Sequence, residues 1–137
     1  MLKIAAGEFA KIVSGQLYEI SESTMIDQIP VINSKNATKN SFFVAFKGEH
    51  VDGHDFVTEA INLGAKFALV SKPVAEPHVL VTDTGKALID LAVKNAQSGD
   101  VVLLMGKGHE SGQEVNSVVT PFDDRIELAE SIRRLAR

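Results

Sequence analysis

The residues of this chain best suited to chemistry are a glycine-rich loop, four histidines and a scatter of aspartates. The loop reads Met105-Gly106-Lys107-Gly108-His109-Glu110-Ser111-Gly112 and follows the apolar run Val101-Val102-Leu103-Leu104-Met105. Glycines at the carboxyl end of a strand let backbone N–H groups close on an anion, and open α/β sheets bind ligands at that end. The loop is not a triphosphate-binding loop of the Walker type, which needs Gly, four residues and then Gly-Lys-Ser/Thr. Nor is it a dinucleotide fingerprint, because the third glycine would fall at Ser111. The bland alternative is a glycine turn with Lys107, His109 and Glu110 in solvent.

His50 and His54 are four residues apart, but the segment holding them reads as a loop, so they share no helix face. The chain has no cysteine, and its histidines stand in no ligand-spaced cluster, so no metal site is expected. For His54 the bland reading is an imidazole hydrogen-bonded inside a loop. Asp52, Asp55, Asp123 and Asp124 are candidate acid–base carboxylates, yet all four stand where helix capping explains them. There is no Gly-x-Ser-x-Gly and no nucleophile paired with a base. No catalytic residue is assigned.

The elements that must position these groups follow from periodicity. Phe9, Ile12 and Val13 share one face of a helix over 6–14, with Gly15 as its stop. Residues 16–40 read as short strands and loops. Phe42 to Phe46 is a strand buried on both faces, and Lys47 to Gly53 is a loop. A helix follows, with Asp52 or Asp55 as N-cap, Phe56, Ala60 and Ile61 inward, and Gly64 as stop. Lys66 to Ser71 and Val79 to Thr82 are further strands. A helix to about Gln97 carries Leu88, Ile89, Ala92, Val93 and Ala96 on its apolar face. Val101 to Met105 is a fourth strand, Val115 to Val119 a short strand or hairpin arm. A last helix, capped by Asp123 or Asp124, turns Leu128, Ile132 and Leu135 inward and leaves Arg133, Arg134 and Arg137 solvated at its negative end. Strands alternating with helices predict an α/β fold: a compact, mostly parallel sheet flanked by helices, with right-handed crossovers.

Bulk properties narrow the classes further. At 137 residues the chain suits one domain with a real core. A net charge of −4 argues against a nucleic-acid partner, which needs a basic face. No apolar window approaches the roughly 18 residues that span a bilayer, so no membrane partner is expected. The absence of cysteine and of a secretory leader pattern fits the cytoplasm.

Two stretches carry a family resemblance. The first comprises the opening helix ending at Gly15, the strand Phe42–Phe46, Lys47-Gly48, Asp52-Gly53-His54-Asp55-Phe56, Gly64-Ala65 and Val81-Thr82-Asp83-Thr84. The second is Gly106-Lys107-Gly108-His109-Glu110, then Gln113-Glu114, then Pro121-Phe122-Asp123-Asp124-Arg125. Together they resemble the Mur ligases, which build the peptide of bacterial cell-wall precursors. Residues 1–92 are similar to the N-terminal, UDP-binding domain of the type that adds D-alanyl-D-alanine. Residues 98–137 are similar to the C-terminal end of the type that adds the third residue of the peptide. Two parts, 1–92 and 93–137, are therefore expected, packed into one unit.

The resemblance implies a UDP-muramoyl peptide as ligand, with contacts at Ser34, Lys47, Gly48 and His54. It implies that Gly106 and Glu110 are an orphaned remnant of the loop that holds the incoming amino acid. The family's Asp-Ser-Arg is here Asn33-Ser34-Lys35, which keeps the serine but loses a carboxylate and the bidentate fork of arginine. The family's central segment, with its phosphate loop, magnesium ligands and modified lysine, has no counterpart in this sequence. ATP and magnesium are thus expected only for a complete family member, and the chain alone is expected to bind without ligating. Two alternatives stay open: a split ligase whose ATPase core comes from a partner Mur ligase domain, and a non-catalytic scaffold or relic that binds no nucleotide.

Overall fold

A strand covered on both faces needs apolar residues at consecutive positions, and the run from Phe42 to Ala45 supplies them. In the computed structural model, which describes residues 3–99, 112–115, 118–121 and 124–135, most of that run forms an inner strand of a five-stranded sheet. The chain divides into two compact units, Met1–Ala87 and Leu88–Arg137.

The first unit runs through β1 (Lys3–Ala5), α1 (Ala6–Val13), β2 (Gln16–Tyr18), β3 (Met25–Asp27), β4 (Ile29–Val31), β5 (Ser41–Val44), α2 (Val57–Asn62), β6 (Ala68–Val70) and β7 (His78–Leu80). Single 3-10 turns occupy Ser34–Asn36 and Gly53–Phe56. α3 (Thr84–Asn95) begins in this unit. The main sheet has five strands in the order β2-β7-β6-β5-β4. Its four strands β4 to β7 are mutually parallel, and β2 joins β7 antiparallel. The expectation of a mostly parallel α/β sheet therefore holds. β1 and β3 form a separate antiparallel pair.

Alternation along β5 and β6 assigns the two faces. Phe42 and Phe67 point to one side, where Phe9 of α1 meets them edge-on at 5.2 and 5.3 Å, while they stack on each other at 5.1 Å. Phe43, Ala45, Ala68 and Val70 point to the other, where they pack with Val57 and Ala60 of α2. Small residues on that second face let α2 lie close, and the three rings on the first fill the wider gap under α1.

Local chemistry sets the ends. α1 stops at Ser14, not at Gly15: Ser14 takes the left-handed conformation at φ 55°, and the Gly15 N–H bonds Ala10 O at 2.8 Å. Gly15 serves a different need. A Cβ there would sit 2.7 Å from Val79 Cγ1 and 3.0 Å from Leu80 O, so only glycine lets the chain pass the end of β7. Gly64, at φ 124°, is the predicted stop after α2. Asp83 caps α3 by accepting from the Lys86 N–H at 3.0 Å.

The second unit holds the rest of α3, β8 (Gly112–Val115), β9 (Val118–Pro121) and α4 (Asp124–Leu135). β8 and β9 pair antiparallel, with Val115 opposite Val118. The predicted strand Val101–Met105 lies outside the described residues. Two helix faces differ from expectation. On α3, Ala87, Ile89, Asp90 and Leu91 are buried, whereas Ala92 is exposed, as is Ala96 just past the helix end. On α4, Ile132 is exposed and Ser131 is buried. One polar pair accounts for much of the shift: Asp90, 3% exposed, binds the Arg134 guanidinium at 2.5 Å. A carboxylate can be buried when a charged partner accompanies it, so Asp90 joins the inner face and Arg134 is not merely solvated.

Two substitutions test this packing. Phe9→Ala removes the ring that bridges Phe42 and Phe67, and is expected to cost about 3–5 kcal/mol in urea unfolding followed by circular dichroism. Arg134→Ala leaves the Asp90 carboxylate buried without its cation. It is expected to cost about 3 kcal/mol, the low end for a broken buried pair because the guanidinium is partly solvated, read as lost amide-exchange protection in α3 and α4.

Candidate functional site

Parallel strands all end on the same edge of a sheet. The segments that leave the carboxyl ends of β4, β5, β6 and β7 are Ile32-Asn33-Ser34, Phe46-Lys47-Gly48, Ser71-Lys72 and Thr82-Asp83. This edge brings together Ser34, Lys47, Gly48 and His54, four of the six residues singled out from the sequence. Gly106 and Glu110 lie outside the described residues.

The loop after β5 is held at three points. The Gly53 N–H donates to Phe46 O at 2.6 Å, the Gly48 N–H to Val51 O at 2.8 Å, and Lys47 bridges Asp52 across the turn. A Cβ on Gly53 would meet the Phe46 backbone at 2.7 Å, so the Asp-Gly-His order is a steric requirement here. Lys47 itself is exposed.

His54 links this loop to the next strand. Its Nε2 accepts from the Ser71 backbone N–H at 3.0 Å, which puts the ring proton on Nδ1, 2.6 Å from Asp52 Oδ1. The residue is 8% exposed and both nitrogens are engaged. The bland reading of a bonded loop imidazole therefore describes its position. Asp52, His54 and Ser71 have the composition of a hydrolytic triad, but the Nε2 lone pair points at a backbone N–H, and Ser71 Oγ is 3.4 Å away. The arrangement fastens two strand ends; it does not activate a nucleophile.

Asp52 is the hub of this network. Its Oδ1 also accepts from the His54 backbone N–H at 3.0 Å, and its Oδ2 takes the Lys72 ammonium at 2.6 Å. Burial pushes the Asp52 carboxyl up, but the Lys72 ammonium and the bonds from the His54 backbone and ring outweigh it, so the group titrates well below its ordinary 3.8. The same bond pushes the Lys72 ammonium up. Asp52 is marked in the sequence as a cap; Lys72, twenty residues later and just past β6, carries no local signal.

Ser34 opens the 3-10 turn after β4 and is buried. Asn33 caps that turn by accepting from the Lys35 N–H at 3.0 Å. The Ser34 hydroxyl donates to Glu59 Oε2 on α2. Glu59 was not among the residues singled out, because the pair spans 25 positions.

Among the described residues no three His, Cys, Asp or Glu side chains converge to hold a metal ion. The sequence holds no triphosphate-binding loop, so these residues do not fit ATP with magnesium. A cavity of about 960 Å³ lies elsewhere, lined by Gly7, Lys11, Ser14, Gln16 and Glu22 among others, and none of the candidate residues borders it. No helix among the described residues is long and apolar enough to cross a membrane.

A family model described as "Mur ligase family, catalytic domain" matches residues 29–132. A UDP-N-acetylmuramoyl-tripeptide–D-alanyl-D-alanine ligase of Escherichia coli is 31% identical over 124 residues, covering 87% of this chain and 27% of the relative. A UDP-N-acetylmuramoyl-L-alanyl-D-glutamate–2,6-diaminopimelate ligase of Streptomyces coelicolor is 50% identical over 57 residues, covering 42% of this chain and 11% of the relative. Among solved structures, MurF from Acinetobacter baumannii superposes with a TM-score of 0.60 at 27% identity, over 68% of this chain and 21% of that one. The chain thus spans about a quarter or less of the length of these proteins.

The Asp52 network yields a pH signature. A carboxyl whose folded pKa lies below 3.8 stabilises the fold fully above that value, and the stability is lost as pH falls through the folded pKa. Asp52→Asn is expected to cost roughly 1–3 kcal/mol at pH 7. Its urea midpoint should then drop less than that of the unmodified chain between pH 5 and about pH 3. Equal drops would remove Asp52 as a source of acid sensitivity.

Proposed function

Given that the chain belongs to the Mur ligase family, we propose that it is a binding module of peptidoglycan-precursor synthesis. It takes a UDP-muramoyl peptide on the carboxyl edge of β4 to β7 and does not ligate by itself. The observation that carries this reading is the shared edge: β4, β5 and β6 deliver Ser34, Lys47 with Gly48, and the His54 clamp to one side of the sheet. In this reading Ser34 and Lys47 meet the diphosphate, the first by its hydroxyl and the second as a compact cation. Gly48 keeps the loop low enough for a ligand to approach. His54 acts through the loop it fastens. Gly106 and Glu110, outside the described residues, are read as the remnant of an amino-acid loop.

The match to the Escherichia coli relative supports the ligand class, since that protein is named for a UDP-N-acetylmuramoyl tripeptide. The occupied Ser34 hydroxyl favours a second reading, a scaffold that binds no nucleotide.

Calorimetric titration with UDP-muramoyl tripeptide, with and without ATP and magnesium, separates the two. The expected result is weak binding that ATP and magnesium leave unchanged and that Ser34→Ala reduces by roughly ten- to a hundredfold, since one hydrogen bond to a charged group contributes roughly 1.5–3 kcal/mol. No heat at millimolar ligand would leave the scaffold reading in front. Amide-bond formation on adding a separate Mur ligase domain, and only then, would instead point to a split ligase.

A further inference from the structure

The hydroxyl on which the ligand reading turns is already in use. Ser34 is 5% exposed and donates to Glu59 Oε2. A serine hydroxyl has a single proton to give. Phosphate oxygens accept hydrogen bonds, so Ser34 can donate to a phosphate only once Glu59 releases it. The freed carboxylate then stands beside an incoming dianion, and like charges a few ångströms apart repel. Glu59 is itself exposed, so its side chain has solvent to swing into.

We propose that Glu59 is an internal competitor for the phosphate subsite: a carboxylate that occupies Ser34 in the free protein and that the diphosphate of a UDP ligand must displace. The proposal rests on Ser34 being a ligand contact, as argued above. It adds a regulating residue that sets how weak the binding is.

The turn that carries Ser34 does not depend on Glu59. The Asn33 side chain accepts from the Lys35 N–H at 3.0 Å, the Asn36 N–H donates to Asn33 O at 2.9 Å, and the Ala37 N–H donates to Ser34 O at 3.1 Å. Removing the carboxylate therefore frees the hydroxyl while leaving its backbone in place. Glu59→Gln keeps an acceptor for Ser34 and removes only the charge. Glu59→Ala removes both.

The test is calorimetric titration of the unmodified chain, Glu59→Gln, Glu59→Ala and Ser34→Ala with UDP and, separately, with uridine, at one low ionic strength. Circular dichroism confirms that each variant is folded. Both Glu59 variants are expected to bind UDP about tenfold more tightly than the unmodified chain, the size of effect that removing one charge beside a diphosphate produces near a watery surface. Uridine, which has no phosphate, should show no gain. If UDP affinity is lost in Ser34→Ala but unchanged in both Glu59 variants, the ligand reading stands and the competitor role falls. Equal gains for UDP and uridine would also overturn it, because the effect would then be a loosened loop. Failure of every variant to bind UDP at millimolar concentration overturns both. UDP binding by the Glu59 variants alone supports the competitor while denying that the unmodified chain is a binder.

Discussion

His54 holds two strand ends together, and the geometry of the candidate site hangs on that one imidazole. Its Nδ1 faces Asp52 at the end of the loop after β5, and its Nε2 takes the N–H of Ser71 just past β6. A buried ring with both nitrogens bonded has a single orientation, so the loop bearing Lys47 and Gly48 is fixed relative to the segment bearing Lys72. Asp52 joins the two again through the Lys72 ammonium. The strength of this clamp comes from low exposure and charge assistance acting together.

Beneath the clamp, the sheet decides where ligand chemistry can be. Four parallel strands with α1 on one face and α2 on the other leave backbone loops free only at the strand ends. The ring cluster of Phe9, Phe42 and Phe67 and the small-residue layer under α2 make both faces inaccessible. Polar and charged groups then collect on the carboxyl edge, where the chain must turn. Among them, Glu59 and Ser34 form a pair that satisfies the fold and opposes an anion at the same time. Such a conflict between local stability and binding is a common mark of functional positions.

Much of this was legible in the residues. β5, β6 and β7 announced themselves as continuous apolar runs, α1 and α2 as spaced apolar faces, and Gly64 as a stop. Asp52 read as a cap because a short acceptor before a turn does that work in most contexts. Long-range pairs were not legible. Ser34 with Glu59, Asp52 with Lys72 and Asp90 with Arg134 each join residues that no periodicity relates. The inner face of α3 was misjudged for the same reason: Ala92 and Ala96 fit the helical spacing, but a paired Asp90 took the interior. Gly15 was read as a conformational stop when its role is close passage beside Val79 and Leu80.

On this reading the carboxyl edge of β4 to β7 is where a UDP ligand sits, although a cavity of about 960 Å³ lies beside α1 and β2. Amide chemical-shift mapping with UDP decides between the two places directly. Shifts are expected to concentrate at Ser34 to Asn36, Lys47, Gly48, Ser71 and Lys72, with Gly7, Lys11 and Glu22 unmoved. Shifts confined to Gly7, Lys11, Gln16 and Glu22, or none at millimolar UDP, would contradict it.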